Sequence, residues 1–135
     1  MDKIDVVKKI EEIGVVAVIR GKNPEEAVAM SDACIAGGVT AIELAFTTPQ
    51  AHEAIETLSK KYADNPDVII GAGTVLDAVT ARIAILNGAQ FVVSPAFDLE
   101  TVKLCNRYRI AVMPGTTTLN GVLEALEAGA DVIKI

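Results

Sequence analysis

Val15-Val16-Ala17-Val18-Ile19-Arg20-Gly21-Lys22-Asn23-Pro24 decides between the two folds open to this chain. Its first half is a β-branched apolar run of strand length. Its second half is a helix start, with Asn23 as N-cap and Pro24 at the first helical position. A strand that feeds at once into a helix belongs to an α/β chain with parallel strands and right-handed crossovers. In an open doubly wound sheet, the first such junction usually carries a glycine-rich phosphate loop. Arg20-Gly21-Lys22-Asn23 is no such loop and sets a charged side chain at the strand's C-terminal end. That suits a closed (β/α) barrel, where reactive groups collect at the C-terminal ends of several strands.

The same unit repeats outward from this stretch. Before it, residues 2–13 space Ile4, Val7, Ile10 and Ile13 by threes, which predicts an amphipathic helix over one end of the core, stopped by Gly14. After it, a helix to Ala36 gives way at Gly37-Gly38 to a second strand, Val39 to Ala45. Thr48-Pro49 repeats the cap-plus-proline device and predicts a helix from Pro49 to Lys61. Val68-Ile69-Ile70 is the third strand, Thr74 to Asn87 a turn and helix, and Gln90 to Val93 the fourth strand. Asp98 caps the next helix, Ile110 to Met113 is the fifth strand, Leu119 to Ala128 a helix, and Asp131 to Ile135 a sixth strand. Gly37-Gly38, Gly88 and Gly129 each offer a left-handed glycine just before a strand, in steps of about 20–25 residues per βα unit. Fully apolar strands predict a sheet covered on both faces.

Bulk properties narrow the function classes. With 135 residues, 51% hydrophobic, the chain has the content of one globular domain, residues 1–135. A net charge of −6 and scattered Lys/Arg argue against a nucleic-acid surface. No apolar run reaches the ~18 residues of a membrane span. Met1-Asp2-Lys3-Ile4-Asp5 lacks the basic-then-apolar order of a signal peptide, so a cytoplasmic location is expected. Cys34 and Cys105 fit thiols of a cytosolic protein and no metal-ligand spacing.

Polar residues mark the strand ends: Arg20, Glu43, Gly71-Ala72-Gly73-Thr74, Ser94-Pro95, Pro114-Gly115-Thr116 and Lys134. On a regular strand Lys134 shares a face with Val132, while Ile133 and Ile135 share the other, so both faces are expected to be buried. Burial lowers a lysine's pKa by up to ~3–5 units, a cost of roughly 4–7 kcal/mol. An ordinary strand-end lysine avoids that by snorkelling to solvent. A buried, neutral Lys134 is instead a nucleophile.

These residues together resemble the class I pyruvate aldolases that cleave 2-keto-3-deoxy-6-phosphogluconate and 4-hydroxy-2-oxoglutarate. The resemblance covers the whole chain. It rests on Val18-Ile19-Arg20-Gly21, Gly37-Gly38-Val39 with Ile42-Glu43, Gly71-Ala72-Gly73-Thr74-Val75, Gly88-Ala89-Gln90-Phe91 with Ser94-Pro95, Met113-Pro114-Gly115, and Ile133-Lys134. It implies a (β/α)8 TIM barrel and a lyase that needs no metal or cofactor. Lys134 then matches the Schiff-base lysine and Glu43 the general acid/base. Gly73, Thr74 and Pro95 match the lining for a keto-acid substrate. Many members carry an arginine four residues after the glutamate; here that place is Thr47, and Arg20 is the arginine available for a carboxylate. This swap leaves the phosphogluconate, hydroxyoxoglutarate and phosphogalactonate branches open. Another phosphosugar-binding barrel isomerase or synthase, or a non-catalytic fragment, also remains open. Six strands against the eight of a closed barrel predict a chain two βα units short, with unpaired edges. The resemblance implies a homotrimer for the closed form.

Overall fold

The computed structural model describes residues 1–135. Five parallel strands, β1 (Ala17–Ile19), β2 (Ala41–Ala45), β3 (Ile69–Gly73), β4 (Phe91–Ser94) and β5 (Ala111–Pro114), pair in the order β1-β2-β3-β4-β5. Sequential order is that of a barrel wall; a doubly wound sheet reverses direction from its first strand. The helices are α1 (Lys3–Ile13), α2 (Pro24–Ala36), α3 (Ala51–Lys61), α4 (Ala78–Leu86), α5 (Leu99–Arg107) and α6 (Leu119–Glu127).

Strand alternation sorts the core into two layers. On the outer face Ile19, Ile42, Leu44, Ile70, Val92 and Val112 pack with Ile55, Leu58 and Val102 of the helices. Ala27, Ala54, Ala81 and Ala84 are fully buried there, small side chains that let the helices approach the sheet closely. On the inner face Ile69, Phe91, Val93, Ala111 and Met113 pack on Val6 of α1. Each large side chain buried this way contributes about 1.5–3 kcal/mol. α1 therefore plugs the N-terminal end of the sheet, as its amphipathic pattern predicts. Its buried face is Val6 with Val7 and Ile10, however, and Ile4 stays exposed. Asp2 caps α1 by accepting from the Ile4 and Asp5 amides, and Gly14 ends it at φ 73.

One helix start differs from the sequence expectation. α3 starts at Ala51 rather than Pro49, because the buried Thr48 hydroxyl accepts from the Gly21 amide (2.9 Å) and is not free to cap a helix. Gln50 occupies the cap position at φ 53 with no side-chain bond. Thr74, also left-handed at φ 52, is not the cap of α4; Asp77 is, accepting from Thr80 (2.7 Å).

The sixth strand is reduced to one parallel bridge, Gly115 to Lys134. Asp131 N donates to Val112 O (3.1 Å), Lys134 N to Pro114 O (3.0 Å), and Thr116 N to Lys134 O (2.9 Å). Between the first two contacts this segment advances from 131 to 134 while β5 advances from 112 to 114. One extra residue is therefore accommodated before Lys134, a bulge that breaks the simple alternation expected across Val132–Ile135.

Candidate active site

Glu43 sits at the middle of β2, in register with Val18 of β1 and Gly71 of β3, and points to the inner face with only 6% of its surface exposed. Burial pushes its carboxyl above the usual carboxylate range, and the positive charges of Lys134 and Arg20 offset part of that rise. Those three groups converge, yet none of them is tied into an ion pair of the chain.

The glycines of β3 make room for this arrangement. A Cβ on Gly73 would overlap the Glu43 carboxylate, and one on Gly71 would overlap the ring of Phe91. The room they leave is taken by the Glu43 carboxylate beside Gly73 and by the Phe91 ring beside Gly71. Ala72 between them faces the outer core.

Arg20 is exposed at the end of β1. The bond from Gly21 N to Thr48 Oγ1 ties its loop to the turn after β2. Thr47 and Pro95 are exposed on the turns after β2 and β4, and Thr74 is half-buried after β3. A Cβ on Gly115 would strike the Pro95 carbonyl, so β4 and β5 pinch together beside the Lys134 bridge. The structure thus brings Glu43, Gly73, Arg20 and Lys134 to one end of the sheet, with Thr47, Thr74 and Pro95 on turns leaving that same end.

Lys134 faces inward, because its bridge partner Gly115 continues the alternation of Ala111 and Met113. It is exposed, contrary to the burial expected from its apolar neighbours. No strand lies on the segment's far side, and the inner-face residue Val18, on the other edge strand of the sheet, is exposed as well (47%).

Other candidates lie elsewhere. A cavity of about 550 Å³, lined by Tyr62, Asn65, Pro66 and Gln90 among others, opens at the N-terminal end of the sheet and includes none of the residues above. His52 lies partly exposed on α3. Burial pushes the Cys105 thiol up to about 12, which keeps it protonated at neutral pH and unfit as a nucleophile. Thr48 and Asp131 are structural contributors that sequence reading misses. Thr48 carries a helix-cap signature, and nothing local marks Asp131.

Parallel βα units in sequential order, with a lysine and a glutamate converging on the inner face of the sheet, define a chain of α/β-barrel type. Residues 6–135 match the KDPG and KHG aldolase family, and the chain belongs to it. It is 37% identical to the 2-dehydro-3-deoxy-phosphogluconate aldolase of Treponema pallidum over 97% of its own length and 61% of that protein's. To the 2-dehydro-3-deoxy-6-phosphogalactonate aldolase of Escherichia coli it is 34% identical, over 92% and 60%. Its fold superposes on the KDPG aldolase of Legionella pneumophila, captured with pyruvate as a covalent carbinolamine intermediate, with a TM-score of 0.73 at 31% identity, covering 86% of this chain and 54% of that one. The chain thus spans about three-fifths of the length of these curated relatives.

Proposed function

We propose that this chain carries the imine-forming part of a class I aldolase, which cleaves a 2-keto-4-hydroxy acid to pyruvate and an aldehyde. The observation that carries the reading is the convergence of Lys134, Glu43 and Arg20 at one end of the sheet. The Lys134 amine attacks the C2 ketone, the carbinolamine loses water, and the resulting imine is the electron sink. The C3–C4 bond then breaks. Its electrons pass into the imine to give an enamine, the C4 hydroxyl proton goes to Glu43 through a water, and the aldehyde leaves. Reprotonation at C3 and hydrolysis return pyruvate and free lysine. Burial favours this use of Glu43, since a carboxyl whose pKa is raised holds a proton more readily and can give it up and take it back in turn.

Arg20 binds the substrate carboxylate through its planar fork, in the absence of an arginine at Thr47. The Thr74 hydroxyl and the Gly73, Thr47 and Pro95 turns line the same space. The substrate is 2-keto-3-deoxy-6-phosphogluconate, its phosphogalactonate epimer or 4-hydroxy-2-oxoglutarate; relatives named for each of the three match this chain at 34–37% identity. Imine chemistry at Lys134 calls for a cover over its open side that shuts out water. We place further βα units there, closing an eight-stranded barrel that assembles as a homotrimer in the cytoplasm. The two free thiols fit that compartment, and no helix is long and apolar enough to cross a membrane.

Borohydride trapping with pyruvate in the intact protein tests the reading. The expected result is a single reduced adduct, mapped by peptide mass spectrometry to Lys134 and lost in Lys134→Met. A folded protein that gives no adduct at Lys134 overturns it.

A further inference from the structure

The Lys134 segment is held on one side only, so something must fix its register. We infer that Asp131 is a positioning residue that sets the aim of Lys134; the inference rests on the role proposed above for that lysine. Asp131 grips a single residue of β5 at two points. Its amide donates to Val112 O (3.1 Å), and its Oδ2 accepts from Val112 N (2.9 Å). In an ordinary parallel ladder, a backbone carbonyl of the neighbouring strand accepts that second bond. Here a side chain supplies the acceptor, which frees the backbone to carry the extra residue of the bulge and to present Lys134 toward Glu43.

The grip is itself held from two helices. Lys3 Nζ of α1 lies 3.0 Å from Asp131 Oδ2 and also donates to Asn106 Oδ1 of α5 (2.6 Å). Asn106 Nδ2 donates in turn to the carbonyls of Ala128 (3.3 Å) and Gly129 (3.2 Å), on the turn that delivers Asp131. Asp131 and Lys3 are mostly shielded, with side-chain exposures of 20% and 18%. The network therefore fixes where the segment begins, three residues before the lysine. Without it the extra residue is free to relax. A shift of one residue turns a side chain to the opposite face of a sheet.

Pyruvate trapping measured as a function of pyruvate concentration separates aim from binding. Asp131→Ala is expected to lower the maximal trapping rate on Lys134 by about 10²-fold, the scale of a 1 Å misplacement of a reacting group. The pyruvate concentration for half-maximal trapping stays unchanged, because Asp131 does not touch the carboxylate site. Asp131→Asn keeps an oxygen acceptor for Val112 N–H and is expected to trap close to the wild-type rate. Equal trapping by Asp131→Ala and wild type, or an equal loss in Asp131→Asn, overturns the inference. If Asp131→Ala does not fold, Lys3→Met decides, since it leaves the bonds to β5 in place: slower trapping at unchanged half-saturation supports the network, and an unchanged rate overturns it. An absence of adduct in the wild-type protein removes the role of Lys134 itself, an outcome distinct from failure of the Asp131 clamp.

Discussion

The two ends of the sheet are made from the same strands and treat polar groups in opposite ways. At the N-terminal end charge is neutralised as soon as it is shielded. Lys3 meets Asp131 and Asn106, and Asn106 satisfies two turn carbonyls. Apolar side chains of α1 and the inner face fill the rest. At the C-terminal end Glu43 is buried with no ion pair, Arg20 and Lys134 are near but unbound, and glycines replace side chains beneath them. One end uses its interactions to hold the chain together, and the other leaves its charged groups without partners in the chain. An unpaired buried carboxylate lowers stability, so it persists where stability is not what that end is built for.

The largest break in this contrast is expected from Glu43→Gln. It should slow cleavage by about 10²–10⁴-fold, the usual share of general acid–base catalysis, while leaving imine trapping measurable. Its effect on stability should run the other way. Because the folded pKa of Glu43 is raised, the folded state holds its proton more tightly than the unfolded state does, and wild-type stability falls as pH rises through and above the ordinary carboxylate range. Glu43→Gln removes that fall, so urea unfolding should show the variant gaining on wild type from acid to neutral pH. A parallel pH dependence in the two proteins would mean that Glu43 is not held in an unfavourable charged state.

Phe91→Ala probes the opposite end of the scale, cohesion without chemistry. Its ring is fully buried on the inner face and lies over Gly71, which has no side chain to move into the space left behind. A loss of about 3–5 kcal/mol of unfolding free energy is expected, with adduct formation at Lys134 retained in the protein that remains folded. If unfolding free energy barely changes while trapping disappears, Phe91 belongs to the site and the division between the two ends is misdrawn.

The limits of sequence reading follow the same division. Strand positions, the caps at Asn23 and Asp98, and the left-handed glycines Gly38, Gly88 and Gly129 are legible, because each depends on residues within a few positions. So is the inward direction of Glu43, since β2 is a regular strand with Ile42 and Leu44 on the other face. The failures all involve a partner distant in sequence. Thr48 looks like a cap until the Gly21 amide arrives from the preceding unit. That Gly71 and Gly73 must lack side chains is set by Phe91 and Glu43, which no local pattern shows. The last five residues, Asp131 to Ile135, promise a strand, but the extra residue before Lys134 interrupts the ladder on β5 and leaves a single bridge. Lys134 is exposed because no strand lies on the segment's far side, so the burial expected from its apolar neighbours is not a property of the segment by itself.

The smallest expected effect, and the sharpest test of how the C-terminal end recognises its ligand, comes from Arg20→Lys. Both side chains carry a positive charge, so the electrostatic pull on Glu43 is largely kept and the rate of the chemical step should change little. Lysine, though, is a compact point charge without the planar fork that meets a carboxylate at two oxygens. Arg20 is anchored only through its loop, by the Gly21 to Thr48 bond, and is exposed, so solvent already weakens what it contributes. A rise in KM of about tenfold, equivalent to about 1.4 kcal/mol, is therefore expected, with kcat nearly unchanged. Steady-state kinetics on the intact protein separates the possibilities. Equal KM values would make Arg20 a source of charge alone, with carboxylate recognition left to the Thr74 turn. A fall in kcat as large as the rise in KM would mean that the guanidinium acts on the Lys134–Glu43 pair itself.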